Sequence, residues 1–486
     1  MKLSRLIADV ELLQRSGSGD PTISGLCFDS REVSAGCLFT AVRGTLADGH
    51  DYIPSAIRAG ARVIVCEKLP DSPPSDEVIW IRVGNARKAL ALMASAWYGH
   101  PSRELKLVGI TGTNGKTTVA TLLHQLHEDL GYRAGLLSTI RVVSGDIVEE
   151  ASHTTPDPLR INAALHRMVE AGCGYCFMEL SSHAIDQDRS TGLQFAGGVF
   201  TNLSRDHLDY HGDFRTYLEC KKRFFDDLPS TAFALVNADD RNGKVMLQNC
   251  SAEKRRYAIR TIGDFMARVL ELHLEGSAMS IDQHELWVNL PGIYNATNLL
   301  CVYGVAMLLG HRQDEILKGL SRLKSVEGRF ELLQSKEGIT AVVDYAHSPD
   351  ALKNVLETIN EANSGAGKVI TVVGAGGDRD KGKRPGMAAV SAELSHRLVL
   401  TSDNPRNEDP EAILDDMMEG LNEAQKRRTI RISNRKEAIR TACIMAEKGD
   451  VILVAGKGHE HYQEILGERH HFNDMEILEQ SLKPKQ

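Results

Sequence analysis

Short apolar runs recur along this chain with enough residues between them to form a helix. Leu107-Val108-Gly109-Ile110 is continuous rather than alternating, as a strand buried on both faces requires. Residues 119–130 follow with apolar positions at helical spacing and stop at Gly131, a residue suited to a helix C-terminus. Further strand candidates are residues 37–42, 62–66, 175–178, 198–200, 232–236, 340–343, 369–373, 398–400 and 451–454. Helical stretches separate many of them. This alternation predicts an α/β protein with parallel sheets and crossover helices.

The pattern breaks at two places. A polar junction, His100-Pro101-Ser102-Arg103-Glu104, closes a first block, and a third block opens near Gln334. The expected domains are therefore 1–103, 104–333 and 334–486. A chain of 486 residues has room for about three domains at roughly 150 residues each. No internal repeat or low-complexity tract interrupts them.

Composition removes several classes of function. Hydrophobic residues make up 42% and charged residues 25%, ordinary values for a globular chain with an ample core. The net charge of -8 offers no general basic surface for nucleic acid or anionic membrane, so an anionic substrate must meet local basic clusters. Met1-Lys2-Leu3-Ser4-Arg5 is not followed by the apolar stretch of a signal peptide, and no run nears the roughly 20 apolar residues of a membrane span. Nine scattered cysteines predict reduced thiols and a cytoplasmic location. Cys173 and Cys176 form one C-x-x-C with no second pair, and read as a helix end and a buried strand position.

The densest chemistry lies in Gly112-Thr113-Asn114-Gly115-Lys116-Thr117-Thr118, between the strand and the helix read first. Glycines let backbone N–H groups approach phosphate oxygens, and the helix N-terminus adds positive potential. Lys116 is expected on the β- and γ-phosphates and Thr117 on Mg2+. The spacing departs from G-x-x-x-x-G-K-[ST], since Ile110 stands where the first glycine would be. Glu179, at the end of the strand 175–178, suits a hard cation. His207 and His211, four apart, match a zinc pair on a helix if taken alone. No cysteine or histidine set completes that site, which leaves His207 for Mg2+ or its water. A guanine-binding N-K-x-D is also missing, because Asn237-Ala238-Asp239-Asp240 lacks the lysine.

The loop T-G-T-N-G-K-T-T resembles that of the Mur ligases and the related folylpolyglutamate synthetases. The segment T-N-L-S-R-D-H-L-D-Y-H-G-D, with Tyr217-Leu218-Glu219-Cys220-Lys221 after it, is similar to the Mur ligase central domain. The resemblance implies three α/β domains: a uridine-nucleotide-binding domain, a central phosphate-loop ATPase domain and a Rossmann-like C-terminal domain. It implies ATP as co-substrate, Mg2+, and a carbamylated lysine, Lys221, that ligates metal with Thr117, Glu179 and His207. Cys220 stands where relatives often carry alanine. Asn295 and Asn298 match nucleotide-binding asparagines, Arg329 matches a phosphate ligand, and Asp344 and His347 match the nucleotide side of the third domain.

Asp403-Asn404-Pro405-Arg406 resembles the signature of family members that add meso-diaminopimelate to UDP-N-acetylmuramoyl-L-alanyl-D-glutamate. A guanidinium fork suits the second carboxylate of that amino acid, and L-lysine would leave it unpaired. The resemblance adds Arg379, Gly456 and Glu460 to the same ligand. It assigns Phe28, Ser30, Thr45, Leu46, Ala47, His153, Thr154, Thr155, Ser181, Gln187 and Arg189 to the uridine muramoyl-peptide, with His153 where some relatives have asparagine. The expected function is ATP-dependent amide formation through an acyl phosphate, by a monomer acting on small molecules. An L-lysine-adding ligase, a folylpolyglutamate-synthetase-like ligase and a non-catalytic ATP-binding regulator are the competing readings.

Overall fold

Three large sheets and one two-stranded sheet, Tyr462–Ile465 with Glu468–His471, are found among the described residues of the computed structural model, 1–44, 47–70, 77–151 and 153–483. The first sheet runs in the order Leu12–Ser16, Ile79–Val83, Val63–Cys66, Leu38–Thr40, Leu26–Cys27, and is parallel except for its first pair. Its three inner strands are short and apolar and buried almost throughout, whereas the edge strand Leu12–Ser16 is exposed along its length. The helix Ala86–Trp97, capped by Asn85, turns its alanine-rich face inward. This domain docks on the next where Asn85 donates to Asp188 at 3.0 Å and the Gln194 N–H donates to Ser102 at 3.0 Å.

The second sheet has eleven strands, with Lys106–Thr111 between Gly197–Phe200 and Tyr175–Glu179. Parallel pairing extends from Ala134–Leu137 to Phe265–His273. Antiparallel hairpins close both edges, an addition that the alternation of strand and helix did not predict. Outward exposure along Ile147–Glu150 and His284–Val288 explains why these edges carry no continuous apolar signal.

The third sheet runs Glu331–Gln334, Thr340–Asp344, Val451–Ala455, Val369–Ala375, Arg397–Ser402, Thr429–Arg431. Its opening strand straddles the boundary expected between residues 333 and 334, and it folds back antiparallel on Thr340–Asp344. The remaining pairs are parallel, so their carboxyl ends and polar loops share one edge. Cys173 and Cys176 are buried free thiols, the first after a helix and the second in a strand, and burial raises the pKa of both. Among the described residues no helix is long and apolar enough to cross a membrane.

A buried ion pair fastens the third domain beneath that edge. Arg435, on the helix Arg435–Met445, meets Asp474 at 2.8 and 2.6 Å, with both side chains at 0% exposure. The same guanidinium donates to the carbonyls of Ala455 and Ser402, the last residues of the two parallel strands that flank Val369–Ala375. Asp474→Ala would strand a buried charge and should cost about 3–5 kcal/mol in urea unfolding. The paired change Arg435→Met with Asp474→Leu should cost clearly less than that single change.

Candidate active site

The strand Lys106–Thr111 delivers the chain into a loop that bends sharply at Gly112, φ +145°. A Cβ at Gly112 would stand 2.0 Å from Thr201 Oγ1, so no larger residue fits there. The helix Lys116–Asp129 then starts at the loop, with its first N–H groups facing the opening. Side chains hold the loop from below. Asn202 Oδ1 accepts from the Asn114 N–H at 3.0 Å, and Thr113 Oγ1 lies 3.1 Å from the Tyr217 hydroxyl.

Two lysines meet at this turn. Lys116 Nζ donates to the carbonyls of Gly112 and Thr113 at 3.0 and 2.8 Å. Lys221, fully buried on the helix Phe214–Asp226, donates to the same Gly112 carbonyl at 2.9 Å and to Thr111 Oγ1 at 3.3 Å. Burial, and then the charge of Lys116, push the Lys221 amine well below its usual range. A downward shift of this kind favours the neutral amine, the form of lysine that takes up carbon dioxide, and burial lowers Lys116 as well, against the pull of Glu179.

Glu179 ends its strand at 0% exposure. Burial raises its pKa, against the pull of Lys116. Thr117 Oγ1 donates to it at 3.1 Å and the Thr139 N–H at 2.7 Å. His207 precedes the short helix Leu208–His211 in a left-handed conformation, φ 54°, so His207 and His211 do not form a helical zinc pair. Burial holds the His207 ring in its neutral form. A threonine hydroxyl, a carboxylate, a neutral imidazole and an amine able to become a carbamate make an oxygen-rich donor set suited to Mg2+.

Lys221 stays buried at the Gly112 carbonyl and off the lining, whereas Thr117, Glu179 and His207 open onto a cleft of about 560 Å³ between the second and third domains. Thr113, Asn114, Gly115, Lys116, Thr117, Thr118, Thr154, Glu179, His207, Asn298, Arg329, Asp344 and His347 all line it. Arg329 reaches across to Thr117 Oγ1 at 3.2 Å and stacks 4.2 Å over the Tyr345 ring. Asp344 accepts from the N–H groups of Phe330 and Ala346, both at 2.8 Å, which shapes this wall. Burial pushes His347 down to about 4. Asn298 Oδ1 lies 2.7 Å from the position of a Cβ on Gly115. Asn295 is turned away and donates to the Pro291 carbonyl at 2.8 Å.

The third-domain motifs form a neighbouring cluster. Arg406 adopts a left-handed backbone, φ 53°, and donates to the Gly377 carbonyl at 2.7 Å. Arg406 and Arg379 both approach Gly376, where a Cβ would lie 3.1 Å from Arg406 Nη1 and 3.7 Å from Arg379 Cγ. Pro405 is buried against Gly377. Asn404 donates to Glu460 at 2.7 Å. Gly456, φ +118°, allows Asp403 to approach, since a Cβ there would meet Asp403 Oδ2 at 2.5 Å. Burial raises Asp403, and Lys457, then Arg435, outweigh it and hold the carboxylate ionised.

A third group surrounds the turn after Glu179. Thr155 Oγ1 donates to the Glu179 carbonyl at 2.8 Å and accepts from the Ser181 N–H at 3.1 Å. Arg189 donates to Gln187 Oε1 at 2.7 Å and to the Thr155 carbonyl at 2.5 Å. Thr154 pairs with Thr139 at 3.1 Å, and the charge of Arg189 acts on His153. Phe28 and Ser30 are half-buried and Ala47 exposed on the first domain, and none lines the cleft. Thr45 and Leu46 lie outside the described residues. Sequence reasoning missed Thr139, which belongs to no local motif, and Lys457, whose place between two glycines reads as a surface turn.

Family models match three consecutive stretches: the Mur ligase family catalytic domain over residues 22–98, the Mur ligase middle domain over 110–306, and the Mur ligase glutamate ligase domain over 328–458. A UDP-N-acetylmuramoyl-L-alanyl-D-glutamate--2,6-diaminopimelate ligase of Parabacteroides distasonis is 53% identical, covering 100% of both chains. The enzyme of the same description from Bacteroides fragilis is 52% identical over 99% of each. A solved structure with that description is 30% identical, with a TM-score of 0.68 over 99% of this chain and 98% of the other. The two asparagines of the cleft give a direct test of its geometry. Asn298→Ala should weaken ATP binding at least tenfold by calorimetry. Asn295→Ala should change it less than about threefold and instead cost about 1 kcal/mol of stability.

Proposed function

The chain belongs to the Mur ligase family, and on that premise we propose that it uses ATP to join meso-diaminopimelate to the D-glutamate γ-carboxylate of UDP-N-acetylmuramoyl-L-alanyl-D-glutamate. The carrying observation is the pairing of Arg406 and Arg379 around Gly376 beside the acidic groups Asp403 and Glu460. An amino acid with a zwitterionic far end needs both signs of charge there. L-lysine offers only the ammonium at that end, so the Arg406 guanidinium, which rests on the Gly377 carbonyl and lies 3.7 Å from Glu464, would gain no substrate carboxylate from it.

The chemistry takes two displacements. The γ-carboxylate oxygen attacks the γ-phosphorus, ADP leaves, and an acyl phosphate forms. The diaminopimelate amine then attacks that carbonyl, phosphate leaves, and the amine gives up a proton. The first step needs alignment and charge neutralisation more than covalent help. Lys116, released from the Gly112 and Thr113 carbonyls, supplies a cation to the β- and γ-phosphates, and Arg329 supplies a second from the opposite wall. The loop N–H groups bind the remaining phosphate oxygens. Mg2+, held by Thr117, Glu179, His207 and carbamylated Lys221, would add further neutralisation of the phosphate charge. The third domain presents the amine at the cleft and excludes water from the acyl phosphate.

The division of labour follows the three blocks. Residues 1–103 hold the uridine nucleotide through Phe28, Ser30, Thr45, Leu46 and Ala47. Residues 104–333 hold ATP and the peptide end through Thr154, Thr155, Ser181, Gln187 and Arg189, with His153 beside them. Residues 334–486 hold diaminopimelate. The enzyme works as a monomer in the bacterial cytoplasm on peptidoglycan precursors.

Phosphate release with ATP, Mg2+ and the uridine dipeptide substrate should be fast with meso-diaminopimelate and slow with L-lysine. Preference for lysine would refute the acceptor, and silence with both would refute the ligase. Arg406→Ala should lower kcat/KM for diaminopimelate by about 100-fold or more, about 2.7 kcal/mol, while changing the lysine rate much less. Lys221→Ala should lose nearly all turnover and regain part of it with added formate or acetate. Full activity in that variant would exclude the carbamate.

A further inference from the structure

One fully buried lysine in the third domain has no part in the chemistry described so far. Lys457 has 0% side-chain exposure, and its ammonium donates to Asn404 Oδ1 and Glu460 Oε2, both at 2.9 Å, with Asp403 Oδ1 at 4.0 Å. It lies 5.5 Å from the centre of the Tyr462 ring. The other buried cation nearby, Arg435, is committed to Asp474. Lys457 is therefore the cation that answers the Asp403 and Glu460 carboxylates, leaving the cluster with one net negative charge.

The bonds also fix orientations. Asn404 Oδ1 accepts from Lys457 and from the Glu464 N–H, both at 2.9 Å, so its amide nitrogen must point at Glu460, to which it donates at 2.7 Å. Both donors to Glu460 fall on Oε2, which leaves Oε1 for a ligand. As a stability device such a network roughly breaks even against an apolar side chain. Its effect here is orientation and charge.

Resting on the acceptor assignment above, we propose that Lys457 is a positioning residue for the amino-acid substrate: it holds Glu460 and Asn404 in a single arrangement and trims the acidic pair to the one net charge that a substrate ammonium can balance. The ammonium then binds Glu460 Oε1 while the neighbouring carboxylate goes to Arg406. Without Lys457, Glu460 would keep only its bond from Asn404 and Asp403 only the more distant charge of Arg435, and the Asn404 amide would lose the ammonium that fixes its oxygen.

Two acceptors separate this role from a purely structural one in the full-length protein with ATP, Mg2+ and the uridine dipeptide substrate. Hydroxylamine attacks the acyl phosphate, expelling phosphate and forming a hydroxamate, and needs no diaminopimelate site. Lys457→Met should raise KM for meso-diaminopimelate at least tenfold, with kcat within a few-fold, KM for ATP unchanged and hydroxamate formation retained. An unchanged diaminopimelate KM would overturn the role of Lys457 alone. A wild-type protein that forms hydroxamate but does not ligate diaminopimelate would overturn the acceptor assignment and this role together. Lys457→Gln, which keeps a donor and loses the charge, should show the same split. Loss of hydroxamate formation and ligation by one common factor in both variants would mark Lys457 as structural and sink the proposal.

Discussion

A charge removed from water must be answered by an opposite charge or by hydrogen bonds, and this structure is organised around that requirement. Glu179, Lys221, Lys457, Arg435 and Asp474 are all buried. Each is answered differently. Arg435 and Asp474 neutralise one another, and the pair ties strand ends together. Glu179 accepts from Thr117 and Thr139. Lys221 donates to a backbone carbonyl, and burial draws its pKa well down. Lys457 is shared among three polar side chains. The first pair builds the fold, and the others lie where phosphate, metal or substrate ammonium would complete the balance.

The sheets explain why these groups gather. In a parallel sheet the carboxyl ends of the strands share one edge, and the loops leaving that edge carry the polar residues. The central sheet contributes the phosphate loop after Lys106–Thr111 and Glu179 at the end of its own strand. The third sheet contributes Asp344, Asp403 and the Gly456–Glu460 turn from three strand ends. Asp344 and His347 of the third domain line the same cleft as Lys116 and Thr117 of the second, so both domains build it.

Much of this was legible in the residues. Continuous apolar runs marked the buried parallel strands because burial on both faces removes alternation. The edge hairpins were invisible for the same reason, since half-exposed strands such as Ile147–Glu150 carry no such run. The phosphate loop was legible because glycine, lysine and threonine sit next to one another in sequence. Asn295 and Asn298 looked equivalent as a motif. Only helix phase and the Pro291 carbonyl separate the one that lines the cleft from the one that caps backbone.

The sequence by itself determined the α/β class, the three blocks, the loop that can hold phosphate and the arginine fit for a second carboxylate. These depend on local spacing and residue chemistry, which the chain carries wherever it folds. Tertiary structure alone decided that Lys116 and Lys221 share the Gly112 carbonyl across 109 positions, that Thr139 reaches Glu179, and that Lys457 turns inward to Asn404 and Glu460. Long-range burial sets those protonation states and orientations, and burial is a property of the packed molecule rather than of any segment.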